Sequence, residues 1–209
     1  MRPTIGIRAR LIWLVSAAAA VFVCAGASAA DDLVVEAKRA GHAVRVAARA
    51  TLKVPAGLIW ATLTDCDHLA DFIPGLNASR LIGRRGPAAI VEQHGEAGFF
   101  LFSYGIDVVV KSSEFPPDLI EIRVVSGNLR QLTGAYQLVP GEQAGTWLLT
   151  WSGLIEPSLP VPSIVAVGLM RSNVQAQFRG MINEIERRWA QMKTVDQGEM
   201  RRQEFLTSW

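Results

Sequence analysis

The feature that most constrains this chain lies towards its C-terminal end, where Met170, Val174, Phe178, Met181, Ile185, Trp189 and Met192 recur at intervals of four and three. Arg171, Gln175, Arg179, Glu186 and Arg187 fall mostly between them, so residues 163–193 predict one long helix with a continuous apolar stripe. Pro160 and Pro162 end the segment before it, and Ser163 can cap its first turn. After Thr194 the sequence turns polar, and residues 196–209 read as a loosely held tail.

The rest of the chain sets what that stripe must cover. In residues 43–53, Val44, Val46, Ala48, Ala50 and Leu52 alternate with Arg45, Arg49 and Lys53, the period of a half-buried strand. Pro55 opens a short helix over residues 55–64, in a position where its missing N–H costs nothing. Six strand-like runs follow, 79–83, 88–94, 99–115, 119–126, 132–139 and 146–155, divided by short segments rich in Gly and Pro. Connections this short make hairpins, so successive strands should pair antiparallel. The order predicts an α+β fold in which a curved antiparallel sheet of six to seven strands wraps around the C-terminal helix. An elongated apolar cavity between sheet and helix is the expected seat of function.

The N-terminal residues bear on location. Arg2, Arg8 and Arg10 precede an apolar run at 11–24 and then Ala27-Ser28-Ala29, the pattern of a cleavable signal peptide over residues 1–29. The run is shorter than the roughly 20 residues of a spanning helix, and the bulky Val23 opposes lipid attachment at Cys24. Residues 30–195 are then the folded domain, periplasmic or secreted. Without residues 1–29 the chain has 18 basic and 19 acidic side chains and no basic run, which argues against nucleic acid as a partner. Cys66 is the cysteine left. It can make no internal disulfide and reads as a small buried hydrophobe.

The segment LTDCDHLADFIPGL, residues 63–76, sets Asp65, Cys66, Asp67 and His68 in a row. Four consecutive side chains do not converge on one ion, since in a helix they spread over a turn and in a strand they alternate; no zinc or EF-hand spacing is present either. No metal site and no cofactor are therefore expected. Asp67 reads instead as a helix N-cap helped by Asp65, with Leu69, Phe72 and Ile73 facing inward. In the strands, Phe100, Phe102, Tyr104, Ile106, Val108 and Val110 share one face, a pattern that fits a pocket wall and ordinary core packing alike. Trp147, Leu149, Trp151 and Ile155 make a second row, in which Gly153 should open space, and Gly105 predicts a bulge or bend. No nucleophile motif is present, and Asp107, Glu121 and Arg123 fall on the outer face. No catalytic residue is named.

Two stretches add a resemblance. V-P-A-G-L-I-W-A-T-L-T-D at residues 54–65 and H-L-A-D-F-I-P-G-L at 68–76 resemble the start of START-like polyketide cyclase and coenzyme Q-binding proteins of the SRPBCC superfamily. The resemblance extends over about residues 43–193 and implies a helix-grip fold. It implies that Trp60, Phe72, Ile73 and Pro74 help close one side of a cavity, and that the ligand is a quinone, lipid, sterol or polyketide. Cys66 stands where an aromatic residue is common in that family.

Three functions follow as expectations. The first is a carrier for a hydrophobic small molecule, its cavity lined by Trp60, Phe72 and Ile73, by Phe100, Phe102 and Tyr104, and by Trp151, Met170 and Val174. The second is a cyclase- or isomerase-like enzyme in the same cavity, which needs an inward ionisable group. The third is a module making transient contact with a membrane surface or a protein through residues 159–169.

Overall fold

The computed structural model describes residues 33–99, 102–158 and 163–207. The expected signal peptide, Phe100, and residues 159–162 of the expected membrane-contact segment lie outside the described residues, and so does the side chain of Phe102. The strands are β1 (Val34–Ala40), β2 (Ala43–Leu52), β3 (Leu76–Arg85), β4 (Ala88–Phe99), β5 (Phe102–Phe115), β6 (Leu119–Gly127), β7 (Leu129–Pro140) and β8 (Trp147–Pro157). Helices α1 (Ala56–Leu63) and α2 (Leu69–Phe72) stand between β2 and β3, and α3 (Ser163–Thr207) follows β8.

All eight strands form one antiparallel sheet in the order β1-β2-β8-β7-β6-β5-β4-β3. From β3 to β8 it is the expected meander, and β8 then returns to pair with β2. The strand beyond the expected six to seven is β1, which turns through Gly41 at a φ of 66° and pairs with β2. Val35 is its buried hydrophobic residue. An edge strand that buries so little shows no alternation in its sequence.

The alternation in β2 is realised inward: Val44, Val46, Ala48, Ala50 and Leu52 are all buried, at 3% exposure or less. They meet the stripe of α3, on which Met170, Val174, Phe178, Met181, Ile182 and Ile185 are buried. Fully burying such a side chain contributes roughly 1.5–3 kcal/mol, so this seam is the main core. A second apolar cluster, including Cys66, Val91, Val108 and Val110, sits under β4 and β5. Gly105 pairs regularly with Glu96, and the irregularity near it falls between Val109 and Val110 instead. The stripe leaves the sheet at half-buried Trp189, and Met192 is 48% exposed. Where a loose tail was expected, α3 runs on to Thr207. Residues such as Gln, Met, Glu and Arg prolong an already nucleated helix at little cost even when exposed.

Candidate functional site

Between the curve of the sheet and α3 lies a partly open cavity of about 200 Å³. Val91, Val110, Ile120 and Ile122 form its floor, and Leu132, Tyr136, Trp151 and Ile155 form one wall. Val174, Gln177, Phe178 and Met181 of α3 face them. The connection from α1 to β3 closes the space with Leu63, Cys66, Leu69, Ile73 and Leu76.

The Trp151 indole is accommodated by a local deletion of side chains. Gly134 and Gly153 are register partners on β7 and β8, and a Cβ on either would stand 3.0 or 2.9 Å from the indole ring. The expected space beside Gly153 is thus filled by the tryptophan of its own strand. Tyr136 lies opposite Trp151 with ring centroids 6.3 Å apart, and its ring stacks on Phe178 of α3, also at 6.3 Å.

Among the described residues lining the cavity none is charged. Burial pushes the Tyr136 hydroxyl up to about 12. Burial, with Glu114 nearby, pushes the Cys66 thiol up to about 11. Both groups are neutral at pH 7. Gln93, Ser112, Tyr136 and Gln177 line the cavity, and their side chains make no hydrogen bond among the described residues. Glu114, next along the same face of β5, is only 13% exposed; its Oε2 accepts a hydrogen bond from Arg84 at 3.0 Å, while Oε1 is buried without a partner among the described residues.

Above the cavity, α2 and its loop form a lid seated on α3. The fit is close at Gly180, where a Cβ would overlap the Phe72 carbonyl oxygen and stand 2.6 Å from Pro74 Cδ. About two turns further on, Arg188 donates to Asp65 at 2.8 Å and to Glu184 at 2.6 Å, and its guanidinium lies 5.6 Å from the Phe72 ring centroid. Arg187 also donates to both Glu184 oxygens. The Arg187 and Arg188 hydrogen bonds outweigh burial and hold the Glu184 carboxyl at about 2. Burial alone would raise Asp65, but hydrogen bonds from His68 and Arg188 outweigh it and hold it below the ordinary value.

The four consecutive residues of the segment therefore have separate partners, and the capping expectation is corrected. The N-cap of α2 is His68, with no side-chain cap. Asp67 accepts the Leu81 N–H at 2.7 Å, Asp65 bonds His68 at 2.7 Å as well as Arg188, and Cys66 is buried. The capping carboxylates are drawn away by partners distant in sequence. Leu69 and Ile73 do face inward.

Of the residues expected to line a cavity, Ile73, Trp151 and Val174 do so. Trp60 is half-buried on α1, outside the lining. Phe72 is turned under Arg188. Tyr104 packs against the second apolar cluster and donates its hydroxyl to the Asn128 carbonyl at 2.6 Å. Met170 is buried in the main core. Asp107 and Glu121 are exposed as expected. Within the expected contact segment, Ala166 and Leu169 are buried in the core and Val167 is half-buried against it. Sequence reading missed Tyr136, although Leu132, Gly134, Tyr136 and Leu138 keep the period of a strand; the glycine interrupts the apolar row.

The fold is a helix-grip, an open antiparallel sheet holding a long C-terminal helix. The sequence matches the profile of the family described as polyketide cyclase / dehydrase and lipid transport over residues 43–189, and the chain belongs to that family. Among solved structures it is similar to the STAR-related lipid transfer protein from Xanthomonas axonopodis, with a TM-score of 0.61 and 16% identity over 75% of this chain and 94% of that one. It is also similar to the Zhui aromatase/cyclase from Streptomyces sp. R1128, with a TM-score of 0.59 and 16% identity over 70% and 96%. A START superfamily protein from Mycobacterium smegmatis gives 0.59 and 15% over 68% and 97%. At such identities these likenesses show the fold. No curated protein matches the sequence significantly.

Proposed function

We propose that this chain is an exported carrier that takes a hydrophobic small molecule into the cavity between the sheet and α3. The observation that carries this reading is the uncharged, largely apolar lining of a partly open cavity between sheet and helix, where desolvation drives binding. The similarity to a lipid transfer protein and to an aromatase/cyclase supports the same class of ligand. The volume of about 200 Å³ is below the roughly 300–1,000 Å³ of drug-sized sites. A compact ring compound matches that volume, and a quinone tail or a lipid chain exceeds it.

Binding rather than catalysis is the better supported reading. Proton transfer on a ligand needs a group poised near the working pH, and Cys66 and Tyr136 are both raised well above it. Glu114 is the nearest rival, and Arg84 holds one of its oxygens. Export is supported by the arrangement of Arg2, Arg8 and Arg10, the apolar run and Ala27-Ser28-Ala29.

Native mass spectrometry of the protein purified from its producing cells, followed by organic extraction, tests the carrier reading. The expected result is a one-to-one apolar molecule and a mass lacking the first 29 residues. Protein that is always empty and refuses quinones, lipids and aromatic ring compounds contradicts it.

A further inference from the structure

The carrier reading leaves open which apolar molecules enter, and the wall itself narrows the choice. An ionised carboxylate or phosphate would lose its water and meet no counter-charge among the described lining residues, a transfer that ordinarily keeps anions out. Among the charged groups at the lid, Asp65, Glu184, Arg187 and Arg188 already pair with one another. A plain hydrocarbon is not the complement either. It would leave the hydroxyls of Tyr136 and Ser112 and the amides of Gln93 and Gln177 without partners, and buried polar groups are ordinarily satisfied.

Tyr136 stands out among these four by its surroundings. Its ring packs against Trp151 on the neighbouring strand and Phe178 on the helix, each with centroids 6.3 Å away, so two aromatic contacts position the ring that carries the hydroxyl. Ser112 lies in the neighbouring row, since Ile122 pairs with both Ser112 and Gly134, two residues before Tyr136. The polar groups are thus dispersed around an otherwise apolar lining.

We infer that the cavity selects small, neutral ring compounds bearing an oxygen, and that Tyr136 sets this selectivity, its hydroxyl bonding that oxygen beside the aromatic faces of Trp151 and Phe178. This rests on the carrier reading. Hydroxyl and carbonyl oxygens both serve, because a phenol can donate or accept.

The test uses three bicyclic probes of one shape, naphthalene, 2-naphthol and 2-naphthoate, titrated at pH 7 into the protein emptied by extraction. The expected order is 2-naphthol tightest, by about tenfold over naphthalene, the worth of one hydrogen bond in a dry site, and by at least as much over the anion. Tyr136→Phe should keep its naphthalene affinity and lose most of the preference for 2-naphthol. The inference is overturned if 2-naphthoate binds as well as 2-naphthol, if naphthol and naphthalene bind alike, or if Tyr136→Phe leaves the preference intact. The ranking on the unaltered protein needs no variant to fold. Binding of all three probes without discrimination, or refusal of all three by protein that co-purifies with a lipid or a quinone, overturns the selectivity and leaves the carrier reading standing.

Discussion

Two neighbouring stretches of α3 do opposite work. From Val174 to Met181 the inward side chains are apolar or amide, face the cavity and carry no charge. From Glu184 to Arg188 the helix presents an ionic cluster that ties down the loop carrying Asp65 and Phe72. The apolar stretch is held by shape and burial, which cannot be undone without opening the core. The ionic stretch is partly solvated, with Arg188 24% exposed, and surface-accessible ion pairs are worth little individually. The difference assigns capacity to the first region and access to the second.

The largest effect should come where the two regions meet. Gly180→Ala would ordinarily favour a helix, but here the added methyl meets the backbone of Phe72 and the ring of Pro74, so a loss of about 2 kcal/mol is expected. Gly198→Ala, on the same helix with nothing within 4 Å, should gain about 0.5–1 kcal/mol. Thermal unfolding of the pair checks this, and equal behaviour would remove the seat of the lid from the account.

Arg188→Met keeps much of the apolar stem over Phe72 but leaves Asp65 with His68 alone and removes one of the two arginines on Glu184. A loss of about 1–2 kcal/mol is expected, below that of a fully buried pair because of the partial exposure. Ligand exchange should become faster while equilibrium affinity changes less, as stopped-flow measurements would show.

Acid should loosen the latch before the core. Glu184 titrates at about 2 in the folded chain against roughly 4.3 unfolded. Its contribution is therefore complete above the unfolded value and is lost as pH falls from about 5 towards 2. Asp65 is lowered too and acts in the same direction. Urea denaturation across that range should show a falling stability that is shallower in Glu184→Gln.

The smallest effect belongs to His68, which the Asp65 hydrogen bond raises above its ordinary value. Its contribution is present below about pH 6.5 and disappears as pH rises through the raised value. His68→Ala should be indistinguishable from the parent protein in alkaline buffer and slightly less stable in mildly acidic buffer.

The same contrast marks what was legible in the sequence. Local periodicity announced β2 and the stripe of α3, because each buries one face and repeats its pattern over many residues. The edge strand β1 buries too little to write such a pattern. Trp151 and Val174 were found because they continue apolar rows, and Ile73 through the family resemblance, whereas Tyr136 is separated from its row by Gly134, a glycine whose purpose appears only when the Trp151 ring is seen lying against it. Phe72 looked like a lid residue facing the cavity, and its turn towards Arg188 is a contact across 116 residues of sequence. The carboxylates of Asp65 and Asp67 looked like caps for the same reason: their true partners, Arg188 and the Leu81 N–H, lie far along the chain.

The central claim is that the ligand sits between the sheet and α3, and methyl-detected NMR during a titration with 2-naphthol tests it most directly. The account predicts saturable shifts at Ile73, Ile122, Ile155 and Val174, with the exposed Ile82 and Val125 unmoved. Shifts confined to those exposed residues, with the cavity methyls silent, would contradict it.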